Sequence, residues 1–490
     1  MGRREVRAED LEGLISNLNP YSDLAPDSGF YVDVDRARNS PGDGSVRQLL
    51  VRVLRKLAKD NEEEADDFLY GKYLLAGHRA SGKTTELRKV AKELEEAYHV
   101  IYVSNIERQA SRFETEQDFL YYLLDYVITS VKEEELLGRS VEKDVEELYR
   151  YFEDSIFSVV QEEKLVTFDH SISGEVGANA SAEVKGPGRI FALVAGVFAK
   201  ISGKAGFEET TKEKITKSIK NNFQEFVEIA NRILVHINTA LQSRGKMLLL
   251  ILDGLDKLEE DKARPLFLNA DVMLPQLCCS MIVTFPIYLL YSPNKNNATS
   301  PYSREPFVLS MIKVHDKEGK PYAAGLAALR EIAERRFDTK RLLGGEFSFD
   351  KYPEAAMEPE MLPEDFNGVL DAAILMSGGN LRDFFRLLTI AAENAVIFEK
   401  ERVEEDDLVN AMNHVRSDYI RSYTKSYLPI LKEVIESGEK DVAFRENPQD
   451  DTLLNIFNSG LLIEYNGVRW CDVHPLIRGF LRRQAGNREA

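Results

Sequence analysis

Gly77-His78-Arg79-Ala80-Ser81-Gly82-Lys83-Thr84 matches the phosphate-binding loop pattern at every fixed position, the lysine and the hydroxyl residue included. Glycines at its two ends let the backbone curl so that successive N–H groups point inward at phosphate oxygens. Lys83 then supplies a point charge for β- and γ-phosphates. The Thr84 hydroxyl is placed to ligate the Mg²⁺ that bridges them, and Thr85 completes the set at the positive start of the following helix. Working outward, Tyr73-Leu74-Leu75-Ala76 predicts a short buried parallel strand. Thr84 to Ala97 predicts a helix with Leu87, Val90, Ala91 and Leu94 on one stripe. The octapeptide therefore stands between strand and helix, the context in which it can hold ATP or ADP.

A second element reinforces the first. Lys246-Met247-Leu248-Leu249-Leu250-Ile251-Leu252 is the most hydrophobic strand candidate, and it ends in Asp253-Gly254-Leu255-Asp256. An aliphatic strand that delivers an acid at its carboxyl end is the usual second half of a phosphate-loop site, with Asp253 orienting Mg²⁺. Both elements then end at one edge of a parallel sheet. Another strand, Ser280-Met281-Ile282-Val283-Thr284-Phe285, ends near a hydroxyl instead of an acid. Thr284 is read two ways here, as a contact to the γ-phosphate or attacking water and as an ordinary strand threonine.

The chain has 490 residues, which calls for two to four domains. Its net charge of −19 argues against general affinity for nucleic acid, while a local basic face is left open. Three cysteines, Cys278, Cys279 and Cys471, form neither a disulfide framework nor a spaced metal motif. No apolar leader follows Met1, and the least polar stretch, Ile190 to Ala199, is about half the length of a membrane span. A cytoplasmic protein with no membrane span is expected.

Along the chain, residues 1–70 read as an adaptor with a strand-like run at Phe30-Tyr31-Val32-Asp33-Val34 and an amphipathic helix from Val46 to Ala58. Residues 71–315 read as an α/β nucleotide domain, its parallel sheet flanked by helices and interrupted by an inserted helical and hairpin region at 113–243. Residues 316–425 read as a helical lid, in which Leu381-Arg382-Asp383-Phe384 opens a helix with Arg382 exposed at its start. Residues 426–490 have the cadence of a winged helix: strand, an Asn466-Gly467 turn, a return strand, then His474-Pro475-Leu476 before a final helix.

Together these residues resemble the STAND branch of the AAA+ ATPases over about residues 30–110 and 245–485, with a second likeness to origin-recognition ATPases. Asp253-Gly254-Leu255-Asp256 is similar to the branch's acid-Gly-x-acid, and Val473-His474-Pro475-Leu476 is similar to its Met-His-Asp element. The latter likeness implies that His474 contacts the ADP diphosphate, although Val and Pro replace Met and Asp, and a structural histidine at a helix start is the other reading. Gly378-Gly379-Asn380-Leu381-Arg382 resembles the sensor arginine of the origin-recognition proteins, which reaches the γ-phosphate from the lid. Where the family has a glutamate after the strand-end acid this chain has Gly254, leaving Asp256 as the nearest candidate base and implying slow turnover. The resemblance implies an ATP-driven switch acting through an effector or sensor protein, with a homo-oligomer possible and Arg335 or Arg336 as candidates to complete a neighbour's site. The rival expectations are a DNA-binding loader, with Arg478, Arg482, Arg483 and Arg488 as its basic end, and a scaffold that holds nucleotide without turnover.

Overall fold

The computed structural model describes residues 5–39, 44–63, 68–104, 106, 116–133, 143–144, 147, 223–268, 273–292, 294–355, 357, 359–436, 452–466 and 470–486. The expected hairpin at 171–184, the apolar stretch 190–199 and Gly467 of the expected turn lie outside them.

A parallel sheet of five strands carries the loop. Its strands are β1 (Lys72–Ala76), β2 (Tyr98–Val103), β3 (Met247–Leu252), β4 (Ser280–Phe285) and β5 (Phe307–Val308), in the order β2-β3-β4-β1-β5. β1 pairs with β4 and β5, and β3 with β2 and β4, all in parallel register. β3 has no polar residue because both of its faces are covered. Met247, Leu249 and Ile251 pack with Leu50, Leu54 and Leu87 of the helices Val46–Glu63 and Lys83–Leu94. Leu248, Leu250 and Leu252 face Phe119, Leu123, Phe226 and Leu234 of the helices Glu116–Glu133 and Phe223–Gln242. The strand that carries the loop and the strand that carries the acids are not neighbours. β4 lies between them, which brings Thr284 close to the turn after β3.

A second core belongs to the helices Ala323–Arg336, Gly368–Met376, Leu381–Ile397 and Glu405–Ser422. The N-terminal segment joins this core. Leu11, Leu14, Val32 and Val34 pack among Leu329, Phe384 and Leu388. Phe30–Val34, expected as a strand, pairs with no strand and runs as an extended segment into the short helix Asp35–Arg38. Its alternation of apolar residues is satisfied by the lid helices. Arg335 and Arg336, expected as candidates for a neighbour's site, are committed within their own chain. Arg336 is buried and donates to the carbonyls of Phe30 and Ile332, and Arg335 donates to the carbonyl of Tyr31 and to Glu331.

The C-terminal unit consists of the helices Leu428–Glu436 and Thr452–Asn458, the antiparallel pair β6 (Leu462–Tyr465) and β7 (Trp470–Val473), and the helix Arg478–Gly486. This order is compatible with a winged helix. Its apolar side continues the sheet's core: Phe457 stacks on Tyr291 with ring centres 4.1 Å apart. Among the described residues no helix is long and apolar enough to cross a membrane.

Candidate functional site

The phosphate loop leaves β1 through Gly77, whose φ of 157° brings its α-carbon face against the backbone. A β-carbon there would lie 2.6 Å from the carbonyl oxygen of Leu309, so no larger residue fits without moving the chain. The helix that follows starts at Lys83, and its first turn points into a cavity of about 730 Å³, within the usual range of ligand sites. Lys83, Thr84, Thr85, Asp253 and Asp256 line it from the sheet. Arg38, Arg336 and Arg382 line it from the N-terminal segment and the lid. A smaller recess of about 210 Å³ lies beyond Arg79, Asp256 and Arg382, which border both spaces.

Inside the loop, Lys83 Nζ donates to the carbonyls of Gly77 at 2.8 Å and His78 at 2.7 Å and pairs with Asp256 Oδ2 at 2.9 Å. The pair is almost fully buried, where it is screened little by solvent. Of the residues lining the cavity, Asp256 Oδ1, Arg38 Nε and Arg382 Nε are buried polar atoms without a hydrogen-bond partner among the described residues. Such atoms are rare in folded proteins; the two guanidinium donors fit a polyanionic ligand and the Asp256 oxygen fits bound water.

Asp253 and Asp256 leave the same turn for different surroundings. Asp253 is buried; its Oδ2 accepts from the Tyr102 hydroxyl at 2.9 Å, and the Thr84 side chain hydrogen-bonds the same carboxylate. Burial and the neighbouring Asp256 raise the Asp253 carboxyl above its ordinary value, against the hydrogen bonds from Thr84 and Tyr102. The two oxygen donors of Thr84 and Asp253 are the hard kind that Mg²⁺ takes. Among the described residues no group of three acidic, histidine or cysteine side chains could hold a metal alone, so a cation here would draw further ligands from phosphate and water. Between the acids, Gly254 has a φ of 118°. A glutamate would be strained in that backbone, which accounts for the missing second acid directly after Asp253.

Thr284 lines neither space. Its hydroxyl accepts from the N–H of Gly254 at 2.9 Å and of Asp256 at 3.4 Å and donates to the Leu252 carbonyl at 3.1 Å. It thus braces the turn that carries both acids. Arg382 reaches the cavity from the first turn of Leu381–Ile397, which Asn380 caps by accepting from the N–H groups of Arg382 and Asp383. His474 is fully buried and borders neither space. Its Nε2 lies 3.3 Å from Asp383 Oδ2 and its Nδ1 accepts from the Leu476 N–H. Burial opposes ionisation of Asp383, but His474, Tyr419 and Arg386 together hold its carboxyl below the ordinary value. His474 therefore stands behind Asp383 and Tyr419, which line the recess.

His78 makes a contact that has no signature in the sequence. Its Nε2 accepts a 2.8 Å hydrogen bond from the N–H of Glu464 in β6, inside the buried interface with the C-terminal unit. Burial, aided by the charge of Lys83, lowers the imidazole to about 3, so it is neutral and able to accept. Tyr102 and Arg38 have no such signature either, since a strand tyrosine and an isolated arginine carry no motif. In the C-terminal unit, Arg478 pairs with Asp472, and Arg483 pairs with Glu354, which removes two arginines from the expected basic end.

No family model matches the chain, and no curated protein does. Three solved structures resemble it over nearly their whole length at 12% identity. They are the Aeropyrum pernix ORC1 protein in complex with DNA (97% of this chain, 98% of that one, TM-score 0.33), the Aeropyrum pernix ORC2 protein in ADPNP–ADP complexes (94% and 96%, TM-score 0.36), and a Walker-type ATPase of Pyrococcus abyssi (93% and 100%, TM-score 0.37). Likeness of this size carries no weight for function, and the site's chemistry rests on its own geometry.

Proposed function

We propose that this chain binds ATP with Mg²⁺ and hydrolyses it slowly, as a molecular switch of the STAND/AAA+ type that controls a protein partner or effector within a prokaryotic defence or signalling system. The observation that carries the binding half is the buried Lys83, held by the carbonyls of Gly77 and His78 and by Asp256 at the floor of a cavity ringed by arginines. Phosphate oxygens entering the loop compete for the same ammonium. Thr84 and Asp253 would hold the Mg²⁺, which neutralises charge building on the phosphates. Asp256, once Lys83 turns to phosphate, is the acid nearest to accept a proton from water, and Arg382 is within the cavity to meet the terminal phosphate.

The switching half rests on the hydrogen bond from Glu464 to His78. A loop that must reshape around a triphosphate is fastened, through its second residue, to the C-terminal hairpin. Ligand affinity that differs between the fastened and released arrangements is what would move the equilibrium. Lys83→Ala is expected to lower affinity for a fluorescent ATP analogue at least about 100-fold, roughly 2.7 kcal/mol. Unchanged affinity in that titration overturns the reading. The DNA-loader alternative is weakened by the arginines already paired with Asp472 and Glu354, and steep salt-dependent duplex binding would restore it. The scaffold alternative is favoured if phosphate release equals that of Lys83→Ala.

A further inference from the structure

β2 lies at the edge of the sheet, beyond β3 from the phosphate loop, yet it and the residues just after it support the acid end of β3 at three points. The N–H of Asp253 donates to the carbonyl of Val103 at 3.0 Å, and the N–H of Ile106 donates to the carbonyl of Asp253 at 3.2 Å. The third point is the side chain: Tyr102 Oη donates to Asp253 Oδ2 at 2.9 Å and lies 3.5 Å from the carbonyl of Thr84. The Tyr102 ring itself is half-buried against the apolar cluster of Leu87 and Val90. Packing of the ring thereby sets where the hydroxyl points. A carboxylate with one oxygen pinned cannot turn freely about its terminal torsion, and the lone pairs of its other oxygen keep one direction.

We infer that Tyr102 is a positioning residue for the divalent cation, fixing the plane of the Asp253 carboxylate beside Thr84 without touching the cation or the nucleotide. The inference rests on the Mg²⁺–nucleotide reading above and deepens it. Groups that orient a metal ligand commonly change metal affinity 10- to 100-fold when removed. β2 is then more than a cover strand: it sets how well the site takes the cation.

Tyr102→Phe keeps the ring and deletes only the hydroxyl. With a fluorescent ADP analogue as the probe, the half-saturating Mg²⁺ concentration is expected to rise about tenfold, and the same shift is expected with Mn²⁺. Affinity for the probe in excess EDTA is expected to stay within about twofold of wild type. Turnover at saturating Mg²⁺ is expected to recover, so the loss falls on the metal half-saturation and not on kcat. An unshifted Mg²⁺ half-saturation in the folded variant overturns the inference while leaving the nucleotide reading intact. Equal weakening with and without metal also overturns it, because that is what a merely packed tyrosine would give. A wild-type chain whose probe binding ignores Mg²⁺ overturns the metal reading and this inference together.

Discussion

The floor and the roof of the cavity are built in opposite ways. The floor consists of the loop after β1 and the turn after β3, each fixed by a fully buried strand. Its polar groups come from 77–85 and 253–256, braced from β4 by Thr284. The roof is drawn from residues hundreds of positions apart. Arg336 grips Phe30, Tyr465 donates from its hydroxyl to the carbonyl of Gly378, and Glu464 donates to His78. A single hydrogen bond of this kind nets only about 1 kcal/mol, whereas breaking a strand out of the sheet costs the whole core. Chemistry is thus anchored where the molecule is stiff, and access is governed where contacts can be lost one at a time.

The floor is tested by the largest effect. Asp253→Asn keeps the shape of the side chain and removes the charge a cation needs. Nucleotide binding in EDTA is expected to persist, while Mg²⁺-dependent phosphate release falls at least about 100-fold, roughly 2.7 kcal/mol in the barrier. Turnover near the wild-type rate would mean that the cation is held elsewhere, and that floor and roof had been assigned the wrong way round.

The joint between the two regions is His78, where an intermediate effect is expected. His78→Ala leaves the buried N–H of Glu464 without its acceptor, at a cost of about 1–3 kcal/mol. Hydrogen exchange in β6 should accelerate about tenfold or more, with β1 unaffected. The same residue gives the contact a pH signature. An unfolded imidazole takes its proton near 6.5 and the folded one only near 3, so the unfolded state binds more protons between those values. Stability is fully present above about pH 6.5 and declines as pH falls toward 3, by up to about 5 kcal/mol at ~1.4 kcal/mol per unit. His78→Gln offers an acceptor that does not titrate and is expected to flatten that part of the acid-denaturation curve. An unchanged curve would place the titrating group elsewhere.

The same contrast explains what could be read in the sequence. β1, β3, β4 and the loop are contiguous patterns, apolar runs with glycines and acids at fixed offsets, and each was legible because its signal lies within a few residues. The roof has no such local signature. Val32 and Val34 alternate as a strand would, but the surface that buries them is a pair of helices. Tyr102 and Arg38 matter only because the fold brings them to Asp253 and Gly82, with Arg38 Nη2 3.3 Å from where a β-carbon of Gly82 would stand. His474 illustrates the remaining difficulty: its tripeptide context points to phosphate, and the fold sets its ring against Tyr419 and Asp383.

The smallest expected effect is that of Arg335, one of two adjacent arginines that hold the same stretch of roof. Arg336 is 4% exposed, donates to Phe30 and Ile332, and sits between the rings of Phe30 and Phe385 at 5.1 and 5.0 Å. Burial lowers its guanidinium to about 10, still charged at neutral pH. Truncation to alanine loses donors, ring contacts and packing, and is expected to cost about 2–3 kcal/mol and loosen residues 30–34 in hydrogen exchange. Arg335 reaches the neighbouring carbonyl of Tyr31, but its side chain is 43% exposed and also bound to Glu331 one turn back. Solvent replaces most of what Arg335→Ala removes, so under about 1 kcal/mol is expected. Equal losses in the two variants would show that the roof is held by the number of its contacts. A wide gap would show that it is held by the few that exclude water, and that the N-terminal segment opens only when Arg336 lets go.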